Sequence, residues 1–296
     1  MKGKFKAFFA SIGYLILTVL IQVAVSIVGG ITIGVYYAIN GITQMSNGST
    51  IEYEMDSMVN SILSLTNIFL LISSLLTILI LILIYKVKNR NYKEELQIVR
   101  THKLNIFYAI FMGICCWLFN SGALSLVEEA GWFSNHFEYM NEILAPISQG
   151  SILISMITVG IIAPIAEEFL FRGVIYNTLK KKISIKWTII IQAILFGVFH
   201  GNLVQGTYAT LLGLIFGYVT YKTKSLWPAI IMHMANNLTA NIVSFVAGDY
   251  IGGTLLFIVF AIIGVIGIIS LLFLIRNNNI NNEDEIINFN SFNNLN

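Results

Sequence analysis

Six residues in three short stretches carry chemistry for which an apolar chain has no ordinary use. Glu167, Glu168 and Arg172 lie in Pro164-Ile-Ala-Glu-Glu-Phe-Leu-Phe-Arg-Gly, His200 closes Phe196-Gly-Val-Phe-His, and His233 and Asn237 bracket His-Met-Ala-Asn-Asn. Two carboxylates, two imidazoles, a guanidinium and an amide are the group types that peptide hydrolysis requires: a base for water, donors for the developing oxyanion, and shelter from bulk solvent. Glu167 is the natural base, His200 is placed to help orient the water, and His233 and Asn237 are donors for the oxyanion. Glu168 and Arg172 stand four apart with the acid first, the favourable order for a helix-face ion pair, which leaves Glu167 without a local cation. Pro164 removes a backbone N–H just ahead of the acids and should loosen that turn. His, His and Glu also form a known catalytic zinc set, although the soluble-metalloprotease pattern His-Glu-x-x-His is absent. Both routes, a divalent metal such as zinc or no cofactor at all, are open on the residues alone.

The elements that must position these groups are membrane helices. Of the 296 residues, 56% are hydrophobic and 11% charged, and the mean hydropathy is +0.79. Soluble domains average about 45–50% apolar and about 25% charged, so a water-soluble globule is excluded. Apolar runs over 7–39, 59–85, 104–127, 149–179, 187–200, 205–221, 226–247 and 253–275 predict an all-α, polytopic transmembrane bundle of about eight helices. The runs lack the alternation of a transmembrane barrel. Ionisable groups inside a bilayer cost roughly 2.5–3.5 kcal/mol each, so Glu167, Glu168 and Arg172 must face partners or a wet cavity.

Charge placement fixes the expected topology. Every lysine and arginine except Arg172 falls at the amino terminus, in 86–103, in 180–186, at 222–224 or at 276, whereas Glu52, Glu54, Asp56, Glu128, Glu129, Glu138, Glu142 and Asp249 occupy the opposite loops. The positive-inside bias then puts both termini in the cytoplasm and the protein in the cell membrane. A net charge of +2 gives no reason to expect a nucleic-acid partner. Counting about 1.5 Å per helical residue from the nearest cytoplasmic lysine sets Glu167, His200 and Asn237 at a common depth of roughly 19–21 Å, with Arg172 and His233 about a turn shallower.

The remaining features read as structural. The stretch from Ala7 to Ile39 is too long for a signal peptide and reads as the first membrane helix. Cys115 and Cys116, adjacent on one helix, are packing residues, and His102 and His136 are solvated loop residues. Gly197 with Gly201, and Gly213 with Gly217, have the spacing that lets helices approach closely. Asn237-Leu-Thr matches a glycosylation acceptor but lies inside a membrane segment. The expected division is 1–148 for the leading helices, 149–250 for the membrane core with the polar residues, 251–276 for a last helix, and 277–296 for a disordered Asn-rich tail.

Taken together and in order, Glu167-Glu168-x-x-x-Arg172, Phe196-x-x-x-His200 and His233-x-x-x-Asn237 resemble the three signature motifs of the CPBP (ABI) family. This family comprises type II CAAX prenyl endopeptidases and bacteriocin-processing or self-immunity proteins. The resemblance spans roughly 160–245. It implies an integral-membrane endopeptidase in which Glu167 and His200 activate water, His233 and Asn237 stabilise the oxyanion, and Glu168 and Arg172 support the site. The implied partners are the lipid bilayer and a hydrophobic, lipidated or membrane-anchored peptide or protein. A non-catalytic bacteriocin-immunity or peptide-sensing protein is the alternative. An ion-coupled transporter would more naturally show two internal repeats, and none is found.

Overall fold

A computed structural model describes residues 2–46, 51–148, 150–247 and 252–293. Its helices are α1 (Lys2–Ser46), α2 (Ile51–Ser64), α3 (Thr66–Val87), the single turn α4 (Tyr92–Glu95), α5 (Lys103–Glu129), α6 (Ser134–Ser148), α7 (Ile152–Lys180), α8 (Ile185–Phe199), α9 (Leu203–Thr223), α10 (Trp227–Ala247) and α11 (Thr254–Asn293). No strand occurs among the described residues. Among the described residues seven helices are long and apolar enough to cross a bilayer: α1, α3, α5, α7, α9, α10 and α11. The protein is therefore an all-α, multi-pass membrane protein. The eighth expected crossing is α8, whose 15 residues reach only about 22 Å against a hydrocarbon core of about 30 Å. It must end inside the bundle.

Where α8 ends matters, because its last turn carries His200. Gly201, at φ +73°, takes the left-handed conformation that turns the chain back. Asn202 then caps α9, its Oδ1 accepting from Gln205 N at 2.7 Å while its Nδ2 donates to Gln205 Oε1 at 2.9 Å. The returning α9 lies directly on α8. A side chain at Gly197 would collide with Thr210 Oγ1 and Gly206 O, and one at Gly213 would meet Ala193 Cα at 2.8 Å. Gly197 and Gly213 are contact glycines as expected; Gly201 is a turn glycine instead.

Two apolar clusters frame the polar residues. One gathers Leu170, Phe171, Val174 and Ile175 of α7 with Leu81 and Tyr85 of α3, Phe196 of α8 and Ile230 of α10. The other joins α5, α9, α10 and α11 through Met112, Cys116, Phe216, Met232 and Ile268. Cys116 is fully buried and Cys115 lies against Gly267, both free thiols in packing positions. His102 is exposed and caps α5, its Nδ1 accepting from Leu104 N at 3.2 Å; His136 is exposed as well.

At the lysine-rich end, segment 88–102 straps the helices together. Leu96 is fully buried against Gly173 of α7, Leu226 N donates to Gln97 O at 2.8 Å, and Ser225 Oγ donates to Val99 O at 2.7 Å. Glu95 accepts from Arg90 Nε at 2.7 Å and also pairs with Lys181. Burial pushes the Glu95 carboxyl up, but the hydrogen bonds from Arg90 and Lys181 outweigh it and hold the group below its ordinary 4.5.

The Asn-rich segment differs from its expectation. Rather than becoming disordered at 277, α11 continues to Asn293. Asn278 and Asn279 donate to Asn105 Oδ1 at 3.0 and 3.2 Å, and Asn279 Nδ2 also donates to Ile275 O at 2.7 Å, so long-range amide pairing offsets a poor local helix propensity. Asp249 and the expected domain limits at 149 and 250–251 lie outside the described residues.

Candidate active site

The site is built on α7, which is not a uniform α-helix. Two wide, π-helical turns, Thr158–Ile162 and Phe169–Ile175, flank the segment Ala163–Glu168 that holds both acids. Such turns release backbone groups and recur at functional sites. In the first, Ala163 N–H reaches back five residues to Thr158 O. The next bond in that register would run from residue 164 to Val159 O, but Pro164 has no N–H to give. Asn237 Nδ2 of α10 takes the place, donating to Val159 O at 2.9 Å. In the second, Asn177 Nδ2 donates to Arg172 O and Gly173 O at 3.2 and 2.6 Å. The loosened turn expected at Pro164 is thus present, and a side-chain amide occupies the freed carbonyl.

Glu168 is the hub. Its Oε1 accepts from Arg172 Nη1 at 2.8 Å and from His233 Nδ1 at 2.8 Å, and both carboxylate and guanidinium are completely buried. The i,i+4 pair read from spacing is therefore formed, and it is a three-membered cluster because His233 joins from a helix 65 residues away in sequence. Arg172 Nε and Nη2 have no hydrogen-bond partner among the described residues; Phe196, Phe216 and Phe171 surround the guanidinium instead, with ring centroids 4.4, 5.1 and 5.9 Å from Cζ. Aromatic faces are suited to a desolvated cation. Phe196 was visible as the first residue of its motif. Phe216 carried no signal, since nothing near it in sequence marks it as other than core.

Glu167 faces differently. Its side chain keeps 22% exposure, and its Oε2 lies 3.8 Å from His233 Nε2. That separation is too long for a direct hydrogen bond and short enough for the two atoms to share one water. His233 thus stands at the level of Glu167, where depth counting set it a turn away; side-chain reach closes the difference. His200 Nδ1 lies 2.9 Å from Phe196 O, which can only accept, so Nδ1 carries the proton and Nε2 keeps its lone pair. The His200 ring stacks edge-on to Phe196 at 4.9 Å, and His233 meets the same ring at 5.8 Å.

Of the six expected residues, Arg172, His200 and His233 pack against Phe196, Glu168 bonds Arg172 and His233, and Glu167 lies beside His233. Asn237 sits at the edge, bound to Val159 O, with its Oδ1 accepting from Asn236 Nδ2 at 3.0 Å. Each histidine has one nitrogen held and the other free, as metal-ligating imidazoles do. As placed, however, no three His, Cys, Asp or Glu side chains among the described residues come together closely enough to hold a metal ion.

A membrane bundle that buries a Glu–Arg–His cluster beside a partly exposed second glutamate defines a class of intramembrane polar sites, and comparison with known proteins narrows the class. Residues 149–239 match the family described as type II CAAX prenyl endopeptidase Rce1-like. Over 134 residues the chain is 26% identical to "Putative membrane peptidase YdiL" of Bacillus subtilis (strain 168), a match covering 45% of this chain and 54% of that protein. It is 28% identical over 103 residues to "Uncharacterized 24.3 kDa protein" of Escherichia coli, covering 32% of this chain and 46% of the other. The chain spans about half the length of these curated relatives. No solved structure matches it. All six motif residues fall within 149–239, so the region similar to that family is the one that carries the polar site.

Proposed function

We propose that the protein is an intramembrane endopeptidase that hydrolyses a peptide bond in a hydrophobic, lipidated or membrane-anchored substrate by glutamate-activated water. The observation that carries this reading is the unequal placement of two adjacent carboxylates. Glu168 is locked between Arg172 and His233 with no exposure, while Glu167 is partly exposed and lies 3.8 Å from His233 Nε2. One acid is held and the other is available. In this mechanism Glu167 takes the proton of a water oriented by the lone pair of His200 Nε2, and the hydroxide attacks the scissile carbonyl. The oxyanion is met by Asn237 Nδ2–H and by His233, whose ring Glu168 holds through Nδ1. Glu167 then returns its proton to the leaving amine. Arg172 pairs with Glu168 in its apolar surroundings.

The donor set, as placed, gives no three-ligand metal site, and no step is assigned to a metal. The test uses purified protein in proteoliposomes with a farnesylated, internally quenched peptide ending in a CAAX-type sequence, alongside the same peptide without the lipid. The expected result is cleavage that Glu167→Gln and His200→Ala abolish and that a chelator leaves intact. Cleavage unchanged in both variants, or none by the wild type, contradicts the proposal. Loss with chelator and recovery with zinc would replace the glutamate-only route with a metal-assisted one.

A further inference from the structure

The Asn237 carboxamide has an acceptor end and a donor end, and only the donor end is useful to an oxyanion. Resting on the hydrolytic reading above, we infer that Asn236 and Pro164 are positioning residues that fix which end of Asn237 faces the site. Three observations converge. Asn236 Nδ2 donates to Asn237 Oδ1 at 3.0 Å, which occupies the acceptor end. Val159 O, which can only accept, receives Asn237 Nδ2 at 2.9 Å, and that carbonyl is available because Pro164 cannot donate to it. Asn236 is itself nearly buried, 8% exposed, because Gly113 of α5 lets Met232 O and Asn236 N sit directly on the neighbouring helix. Among the described residues its own Oδ1 has no partner, so the one side-chain hydrogen bond it makes there is the one it gives to Asn237.

Both contacts specify the same amide orientation. With one N–H on Val159 O, the second N–H of Asn237 is left to donate elsewhere. Asn241 steadies the same turn, its Nδ2 donating to Asn237 O at 2.9 Å while its Oδ1 accepts from Ser155 Oγ of α7 at 2.9 Å. Removing the Asn236 donor frees the amide to turn its oxygen toward the site. Restoring an N–H at 164 gives Val159 O a backbone donor that competes with Asn237.

The experiment is a double-mutant cycle on the farnesylated quenched peptide in proteoliposomes, with Glu167→Gln as the inactive reference. Asn236→Ala and Pro164→Ala are each expected to lower kcat about 10-fold, a fraction of the roughly 10²–10³ for losing an oxyanion donor outright, with KM changed less than 2-fold. Asn236→Leu, which keeps the volume but cannot donate, should match Asn236→Ala and serves if the smaller side chain unfolds the protein. Pro164→Ala should leave thermal stability equal or higher, since it restores a helix donor. In an Asn237→Ala background neither substitution should cost a further 2-fold. An undiminished kcat, or a loss equally large in the Asn237→Ala background, overturns the positioning role. Absence of Glu167-dependent cleavage overturns the hydrolytic reading instead, and this inference with it.

Discussion

The inner helix α7 and the outer helix α1 are built from similarly apolar sequence and answer to different solvents. In its most apolar stretch α7 has 44% of its residues buried within the protein, and α1 has 6%. Around α7 the buried polar side chains turn to the protein rather than to lipid, which is how a Glu–Arg–His cluster, a proline-freed carbonyl and three phenylalanine rings come to interlock. Along α1, Val28, Ile31 and Ile39 are all more than 60% exposed, and lipid can stand in for a packing partner. The difference teaches that hydropathy alone marks what enters a membrane, while the costly polar residues mark what becomes the centre.

The largest expected effect comes from breaking the centre. Arg172→Leu leaves Glu168 buried with its cation gone and should destabilise the protein by about 3–5 kcal/mol, measured by denaturation in detergent micelles. A loss below about 1 kcal/mol would mean that Glu168 relaxes to water or protonates freely, and the contrast with α1 would weaken. The glycines sharpen the same comparison. Gly197→Leu should cost about 1–3 kcal/mol, because a side chain there strikes Thr210 and Gly206 of the facing helix. Gly34→Leu on α1, where nothing lies within 4 Å, should stay within about 0.5 kcal/mol of wild type. Equal losses at the two positions would show that α1 is packed as tightly as α8.

Much of the centre was legible in the sequence, and its limits have physical causes. The Glu168–Arg172 pair followed from spacing, since residues four apart share a helix face. Pro164 announced an orphaned carbonyl, because a missing N–H is a property of the residue itself. What filled that carbonyl was not legible: Asn237 lies 78 residues from Val159, and no local rule reports such a distance. His233 meeting Glu168 and Phe216 lining Arg172 were hidden for the same reason. The continuation of α11 beyond Arg276 was misread because asparagine favours turns locally, whereas the bonds of Asn278 and Asn279 to Asn105 belong to the tertiary structure.

The smallest effect is expected at the strap. Because Arg90 and Lys181 hold Glu95 below its ordinary 4.5, its stabilising contribution is complete above that value and disappears as pH falls through the depressed one. These groups are partly solvated, so the contribution is at most about 1 kcal/mol. Thermal melts from pH 7 to 3 should show wild type slightly above Glu95→Gln at neutral pH and the two converging in acid. A gap that widens as pH falls would reverse the sign of the interaction.

The most direct test sets the two neighbouring acids against each other, with kcat and melting temperature measured on the same preparations of Glu167→Gln and Glu168→Gln. If one carboxylate reacts and the other holds, Glu167→Gln loses cleavage at an unchanged melting temperature, and Glu168→Gln loses both. Full activity in Glu167→Gln, or an equal fall in stability for the two variants, would contradict the division of labour on which the proposed mechanism stands.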